Sequence, residues 1–358
     1  MYETLNNLSY PWNDTVPPTG TVHLVTPGVY WVRMPLPFAL NHINLWLLRD
    51  ELDGRAGWTI IDCGITSDVT RAAWEQIFDE ELEDLPVLRV LATHMHPDHV
   101  GLAHWLIQRW TTPSNECRLW MSATDYFSAN LASRSTTGVG GESAARFMLR
   151  HGLQNAEQLQ MIRERSNYYA SMVPELPSCY RRIQDGDVIL MGDVTWRCIA
   201  GYGHAPEHQS LYCEERQVLI SGDMVLPKIS TNVSVLDFEP EGDPLRLYLE
   251  SLQRMAHLPE QTLVLPSHGR PFYGLHARMA QLHQHHAERL DLVEQACRQQ
   301  PQSAAGLLPI LFNRPLDLHQ TTFAMGEAIA HLNHLWHQGR LRRMVIEDGG
   351  FRFVTAYE

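Results

Sequence analysis

Apolar residues along the chain fall into short, dense runs broken by Gly, Pro and charge. Thr21–Val25, Val29–Met34, Asn44–Leu48 and Trp58–Ile61 read as strands, and Asp62-Cys63-Gly64 closes the last of them. The spacing over Asp68–Glu80 predicts a helix. Val87–Ala92 is a buried strand, Val100–Gln108 a further helix and Arg118–Ser122 another strand. Strand signals return at Val188–Leu190, Val194–Ala200, Ser210–Cys213, Val218–Ser221 and Thr262–Leu265. Helical spacing covers Leu245–Met255 and Ala277–Cys297.

Two stretches break this alternation. Residues 123–177 are polar and helical in pattern, with Gly138-Val139-Gly140-Gly141 near their start, and read as a helical insertion. An insertion of this length beside a site is commonly functional, so a lid is expected, with Phe147, Tyr168 and Tyr169 as candidate pocket residues. From about Pro301 come a short helix (Ser303–Leu311), a longer one (Leu318–Gln338), a strand (Leu341–Ile346), a Gly349-Gly350 turn and a strand (Phe351–Ala356). Helices followed by a hairpin suggest a winged helix. The expected division is 1–285 for a catalytic unit and 286–358 for a linker helix and this small domain.

The chemistry concentrates at strand ends. Thr93-His94-Met95-His96-Pro97-Asp98-His99 directly follows a buried strand. In extended backbone, His94 and His96 point the same way and suit one ion; Asp98 and His99, on the turn into a helix, suit a second. Three later residues also follow apolar runs and have glycine neighbours: His204, Asp223 and His268.

Asp62, the His94/His96/Asp98/His99 string, His204, Asp223 and His268 occur in the order of the five motifs of the metallo-β-lactamase superfamily, which residues 20–275 resemble. The resemblance implies an α/β fold, an αββα sandwich, with a two-metal site at one edge. It implies that His94, His96 and His204 hold the first metal, that Asp98, His99 and His268 hold the second, and that Asp223 bridges them. Asp62 would orient a ligand from behind, and His208 would hydrogen-bond near the site. Asp223 resembles the bridging aspartate of glyoxalase II-like enzymes, where lactam-hydrolysing members carry Cys or Ser. His96 separates the chain from the flavodiiron branch, which is similar but has Glu there. The interval from Asp223 to His268 is too short for the inserted second domain of one nuclease branch.

The expected activity is that of a di-metal hydrolase in which a bridging hydroxide attacks a small thioester or ester, of acyl-CoA or hydroxyacylglutathione type. Two Zn2+ ions are the expected cofactors, and Mn2+ or Fe2+ suits the same ligands. Asp98 is the candidate for proton handling, and Lys228 for an anionic substrate group. Two alternatives share the motif set: a single-strand RNA endonuclease of the winged-helix-bearing branch, and an N-acyl homoserine lactonase.

Composition trims these options. The net charge of −13 opposes nucleic acid, and the helix Leu318–Gln338 has no Lys or Arg. The C-terminal domain is expected to pack against the catalytic unit or to mediate oligomerisation, and the insertion is a second candidate surface for association of copies. The histidines at 283, 285, 286, 331, 334 and 337 lack strand-end settings and read as packing or surface residues. Six scattered cysteines without CxxC pairs, no apolar run of membrane length and no secretory leader pattern suggest a cytoplasmic protein.

Overall fold

In the computed structural model, residues 3–5, 7–136 and 140–356 are described; Gly138 and Val139 lie outside them. Strand periodicity explains the architecture. In the strand His42–Leu52, Leu45 and Leu47 face one side while Trp46 and Leu48 face the other, and all four are buried. A strand apolar on both faces needs a cover on each. Leu45 and Leu47 pack under the helix Asp68–Glu80 through Trp74, Ile77 and Phe78. Trp46 and Leu48 meet Trp196, Leu211, Ile220 and Leu265 of a second sheet.

Among the described residues, the first sheet has seven strands and the second eight. The first runs in the order Val22–Thr26, Val29–Pro35, His42–Leu52, Arg55–Ile61, Val87–Leu91, Arg118–Met121 and Tyr180–Arg182, its last four strands parallel. The second includes Val194–Gly201, His208–Cys213, Val218–Gly222 and Leu263–Pro266, the last two parallel. Helices Pro244–Gln253 and Leu275–Gln299 cover its outer face. The result is the αββα sandwich. Between the sheets, buried Arg89 sends Nε and Nη2 to Asp50 at 2.8 Å each, so neither charge is left unpaired.

Three local outcomes differ from the sequence pattern. Strand Glu3–Leu5 pairs with Leu8–Tyr10 and the pair extends the second sheet, although neither segment carries a strand signal of its own. The helix expected over Val100–Gln108 is two pieces, Pro97–Val100 and Ala103–Trp110. At the break, a Cβ on Gly101 would sit 2.9 Å from the Gly64 carbonyl oxygen, so close packing sets this junction. The helix Leu275–Gln299 runs unbroken through residues 285 and 286.

The insertion consists of helices Ala123–Arg134, Gly141–Arg150, Ala156–Glu164 and Tyr168–Met172. The C-terminal unit has helices Ala304–Leu311 and Leu318–His337 and the hairpin Leu341–Val345/Phe351–Thr355. Its Met325, Ile329, Leu332 and Phe353 share one apolar cluster with Tyr248 and Leu252 of the sandwich and Phe147 of the insertion. His286, His331 and His334 are buried in this layer; His286 Nδ1 lies 3.3 Å from His331 Nε2, and His334 Nδ1 meets Asp243 at 3.0 Å. No helix among the described residues is long and apolar enough to cross a membrane.

Candidate metal centre

Asp62, His94, His204, Asp223 and His268 each follow the C-terminal end of a strand within three residues, and these ends share one rim of the sandwich. Pro97 starts the helix Pro97–Val100, which turns His99 back under His94, with ring centroids 3.9 Å apart. Gly222 has φ +53°, and a Cβ there would fall 2.2 Å from His208 Nε2. Only glycine lets the chain bend there and place Asp223 over the imidazoles.

Two ligand groups result: His94, His96, His204 and Asp223; and Asp98, His99 and His268. Within each, one donor atom per residue lies within 4.8 Å of the others. In the first, His94 Nε2, His96 Nδ1 and His204 Nε2 stand 2.9, 3.1 and 3.2 Å apart. Three nitrogens bound tetrahedrally at about 2.0–2.1 Å would be separated by about 3.3 Å, so the triangle fits one ion. Asp223 faces both groups. Its Oδ2 is 3.3 Å from His204 Nε2, and its Oδ1 is 3.4 Å from His268 Nε2 and 3.6 Å from His99 Nε2. Asp98 Oδ2 completes the second group, 3.4 Å from His268 Nε2. His99 Nε2 and Asp223 Oδ1 are buried with no hydrogen-bond partner, as expected of atoms aimed at an ion.

The outward nitrogens of four rings are held by acceptors, which aims each inward nitrogen at the ion site. His204 Nδ1–H donates to the Asn232 carbonyl at 2.7 Å, and His268 Nδ1–H to the His42 carbonyl at 2.8 Å. His99 Nδ1–H donates to Asp62 Oδ2 at 2.8 Å. Thr93 links the groups: its hydroxyl donates to Asp62 at 2.9 Å and accepts from His94 Nδ1–H at 3.0 Å, while its N–H donates to Asp62 at 2.7 Å.

Burial, then crowding by the other rings, holds His94 and His96 below the usual imidazole range, His96 at about 3, so both offer neutral nitrogens. Burial would also lower His99 and His268. The carboxylates of Asp62, Asp98 and Asp223 overcome it at His99, raising it well above its ordinary value. Asp223 and Asp98 do the same at His268, raising it to about 10. Burial would raise Asp98, but His99 and His268 outweigh it and hold the carboxyl at about 2. A divalent ion in the second group would take over the charge these protons supply.

The remaining candidates fall around this centre. His208 accepts the Asp223 N–H at Nε2, 3.2 Å away, and its ring lies 4.9 Å from that of His94. The Tyr169 hydroxyl donates to the Met95 carbonyl, between two ligands, and the Tyr168 hydroxyl lies 3.0 Å from His319 Nδ1. Lys228, the only lysine of the chain, is exposed on the loop that follows Asp223. Asp125 is a residue the sequence reading passed over. Buried, it accepts the Met95 N–H at 2.8 Å and the Glu207 N–H at 2.6 Å, so it ties the His94–His99 loop to the His204 loop. Burial raises its carboxyl to about 6. Its setting behind the Ser122 helix cap gives it the look of an ordinary capping residue.

Residues 40–268 match the family model "Metallo-beta-lactamase superfamily". The chain belongs to the metallo-beta-lactamase superfamily. Residues 290–356 match "Metallo-beta-lactamase-like, C-terminal domain", so the terminal unit also has counterparts in the superfamily. The crystal structure of a beta-lactamase domain protein from Burkholderia ambifaria is 54% identical, covers 98% of each chain and superposes with a TM-score of 0.92. The probable metallo-hydrolase YqjP of Bacillus subtilis (strain 168) is 25% identical over 87% of this chain and 93% of its own length. The acyl-coenzyme A thioesterase MBLAC2 of Gallus gallus is 28% identical over 67% of this chain and 77% of its own. Within the superfamily the chain is a metallo-hydrolase, with the His/Asp cluster as its candidate metal centre.

Proposed function

We propose that the chain is a two-zinc hydrolase of a small acyl thioester or ester. The observation that carries this is Asp223, a carboxylate with one oxygen toward each ligand group. The similarity to an acyl-coenzyme A thioesterase supports the thioester over other acyl compounds.

Two divalent ions, when bound, supply a water deprotonated near neutral pH and polarise the group under attack. The chain does the rest. The carbonyls of Asn232 and His42 and the carboxylate of Asp62 fix the ring tautomers, so the ligand nitrogens need no rearrangement on binding. Asp98 is the more exposed of the two carboxylates, 19% against 10% for Asp223. It is ionised at neutral pH, and in this proposal it would take the proton given up by the attacking water and return it to the leaving group. A thiolate, with a pKa of about 8.5, departs with little help from an acid.

Two of the three clustered arginines of the C-terminal unit are engaged within the protein, which favours a small-molecule substrate over nucleic acid. Arg340 pairs with Glu294; Arg343 pairs with Glu241 and stacks over Trp336 at 4.3 Å, and Arg342 alone of the three is exposed.

The test is a hydrolysis screen of the zinc-, manganese- and iron-loaded protein on acyl-CoA, S-acylglutathione, N-acyl homoserine lactone and single-stranded RNA. Thioesters are expected to turn over fastest, with Asp98→Ala losing roughly a hundredfold or more in kcat. Faster turnover of lactone or RNA, or full activity of Asp98→Ala, would sink the proposal.

A further inference from the structure

Three parts of the chain meet beside the metal centre. The loop between strands Val29–Pro35 and His42–Leu52 carries Phe38, and the same loop leads to the His42 carbonyl that holds His268. The last insertion helix, Tyr168–Met172, packs on the short helix of Asp98 and His99. The C-terminal helix Leu318–His337 contributes His319. Its Nδ1 is 3.0 Å from the Tyr168 hydroxyl, and its ring stacks on Phe38 at 5.7 Å and meets Phe323 edge-on at 4.8 Å. Arg165 lies over the Tyr168 ring, 5.0 Å from its centroid. A reciprocal cap between Asp317 and Gln320 fixes the helix start, so His319 has little freedom to swing away.

The same helix is anchored a second time near a metal ligand. The Val235 N–H donates to the Gly326 carbonyl at 3.1 Å, and a Cβ on Gly326 would fall 2.7 Å from Ser234. Two residues before Ser234, the Asn232 carbonyl holds His204. The helix that presents His319 is therefore docked on the loop that orients the first ligand group.

We infer that His319 is a positioning residue of the metal-site mouth: with Tyr168 it latches the insertion to the C-terminal helix, and the wall of Phe38, His319 and Phe323 selects the acyl group of the substrate by its bulk. The selectivity rests on the acyl-hydrolase reading; the latch does not. Tyr168 and His319 are half-buried at the joint, and opening it would exchange their bond for bonds to water. Phe38 and Phe323 stay about one-third exposed, 36% and 38%, which leaves apolar ring surface for an apolar chain to cover.

Tyr168→Phe and His319→Phe keep a ring and remove the bond; the full-length, zinc-loaded protein is used for each. The first readout is kcat/KM for an acetyl and a decanoyl thioester of the same thiol. A net hydrogen bond accounts for roughly two- to tenfold, so each variant should move the ratio by about fivefold toward the longer chain. The double variant should move it no further than either single one. The second readout is amide exchange, which should quicken about fivefold over residues 165–172 and stay unchanged over 94–99. An unchanged ratio overturns the selectivity, and unchanged exchange overturns the latch. If the parent protein hydrolyses neither thioester, the acyl-hydrolase reading fails and takes the selectivity with it, and exchange alone decides the latch.

Discussion

Asp62 accepts three hydrogen bonds, from the Thr93 N–H, the Thr93 hydroxyl and His99 Nδ1–H, at 2.7, 2.9 and 2.8 Å, and all three residues are fully buried. Asp62→Ala would strand three donors at roughly 1–3 kcal/mol each, a large part of the stability of a typical protein. Asp62→Asn is the sharper perturbation. Its backbone cost is small, because Asp62 sits at φ +62°, a region asparagine tolerates. The amide oxygen can keep the Thr93 N–H. The amide NH2, however, faces Thr93 Oγ1 and His99 Nδ1. The Thr93 hydroxyl then has to turn toward His99 Nδ1, 3.2 Å away, which forces the His99 proton onto Nε2, the nitrogen that faces Asp223 and Asp98. His94 keeps its bond to Thr93 and its tautomer. Loss of an orienting partner costs metal sites roughly 10–100-fold in affinity, or about 1.4–2.7 kcal/mol. The loss should fall on the Asp98/His99/His268 group, with the first group near its parent affinity. A competition titration with a chromophoric chelator resolves the two zinc equivalents, and circular dichroism confirms that the variant is folded. Two equivalents bound with parent affinities would refute tautomer control by Asp62.

Acid should destabilise the C-terminal layer. Burial, then the neighbouring His331 and His285, depresses His286 to about 2, and burial depresses His331 to about 4, so both are neutral when folded. Their contribution is whole above pH about 6.5 and is lost as pH falls toward their folded values, by up to about 1.4 kcal/mol per pH unit for each. His286→Leu should make the fall of urea-unfolding stability between pH 6 and 4.5 shallower by about that amount; an equal slope in both proteins refutes the assignment. Gly326→Ala puts a methyl group against Ser234 and should cost about 1–3 kcal/mol in the same unfolding assay. Ser234→Gly in the same chain should restore most of it; no recovery would show that the contact is not the cause.

The residues of the candidate metal centre could be picked out in the sequence because they follow apolar runs that end at turns, and strand ends on one rim are where such residues meet. The groups that tune them were not. The Asn232 and His42 carbonyls belong to the backbone and leave no mark in residue identity, and they lie 28 and 226 residues from the rings they hold. Asp125 resembles any capping aspartate until the fold brings the Met95 and Glu207 amides to it. His319 sits in a helix with several other histidines, and only the distance to Tyr168 singles it out. The strands Leu8–Tyr10 and Phe272–Tyr273 escaped for a related reason: segments of three and two residues carry no readable period and form by pairing along an existing sheet.

The single apolar cluster that runs from the sandwich through the insertion into the last two helices bears on how the chain can evolve. Modules joined by a linker can be exchanged between proteins with little penalty. Here Tyr248 and Leu252 are sealed by the terminal unit, and a replacement for residues 290–356 would have to reproduce the shape of that seam. Changes in what the mouth admits are therefore open to small substitutions along the first two turns of the helix Leu318–His337, where one edge faces the joint and the other side holds the seam shut.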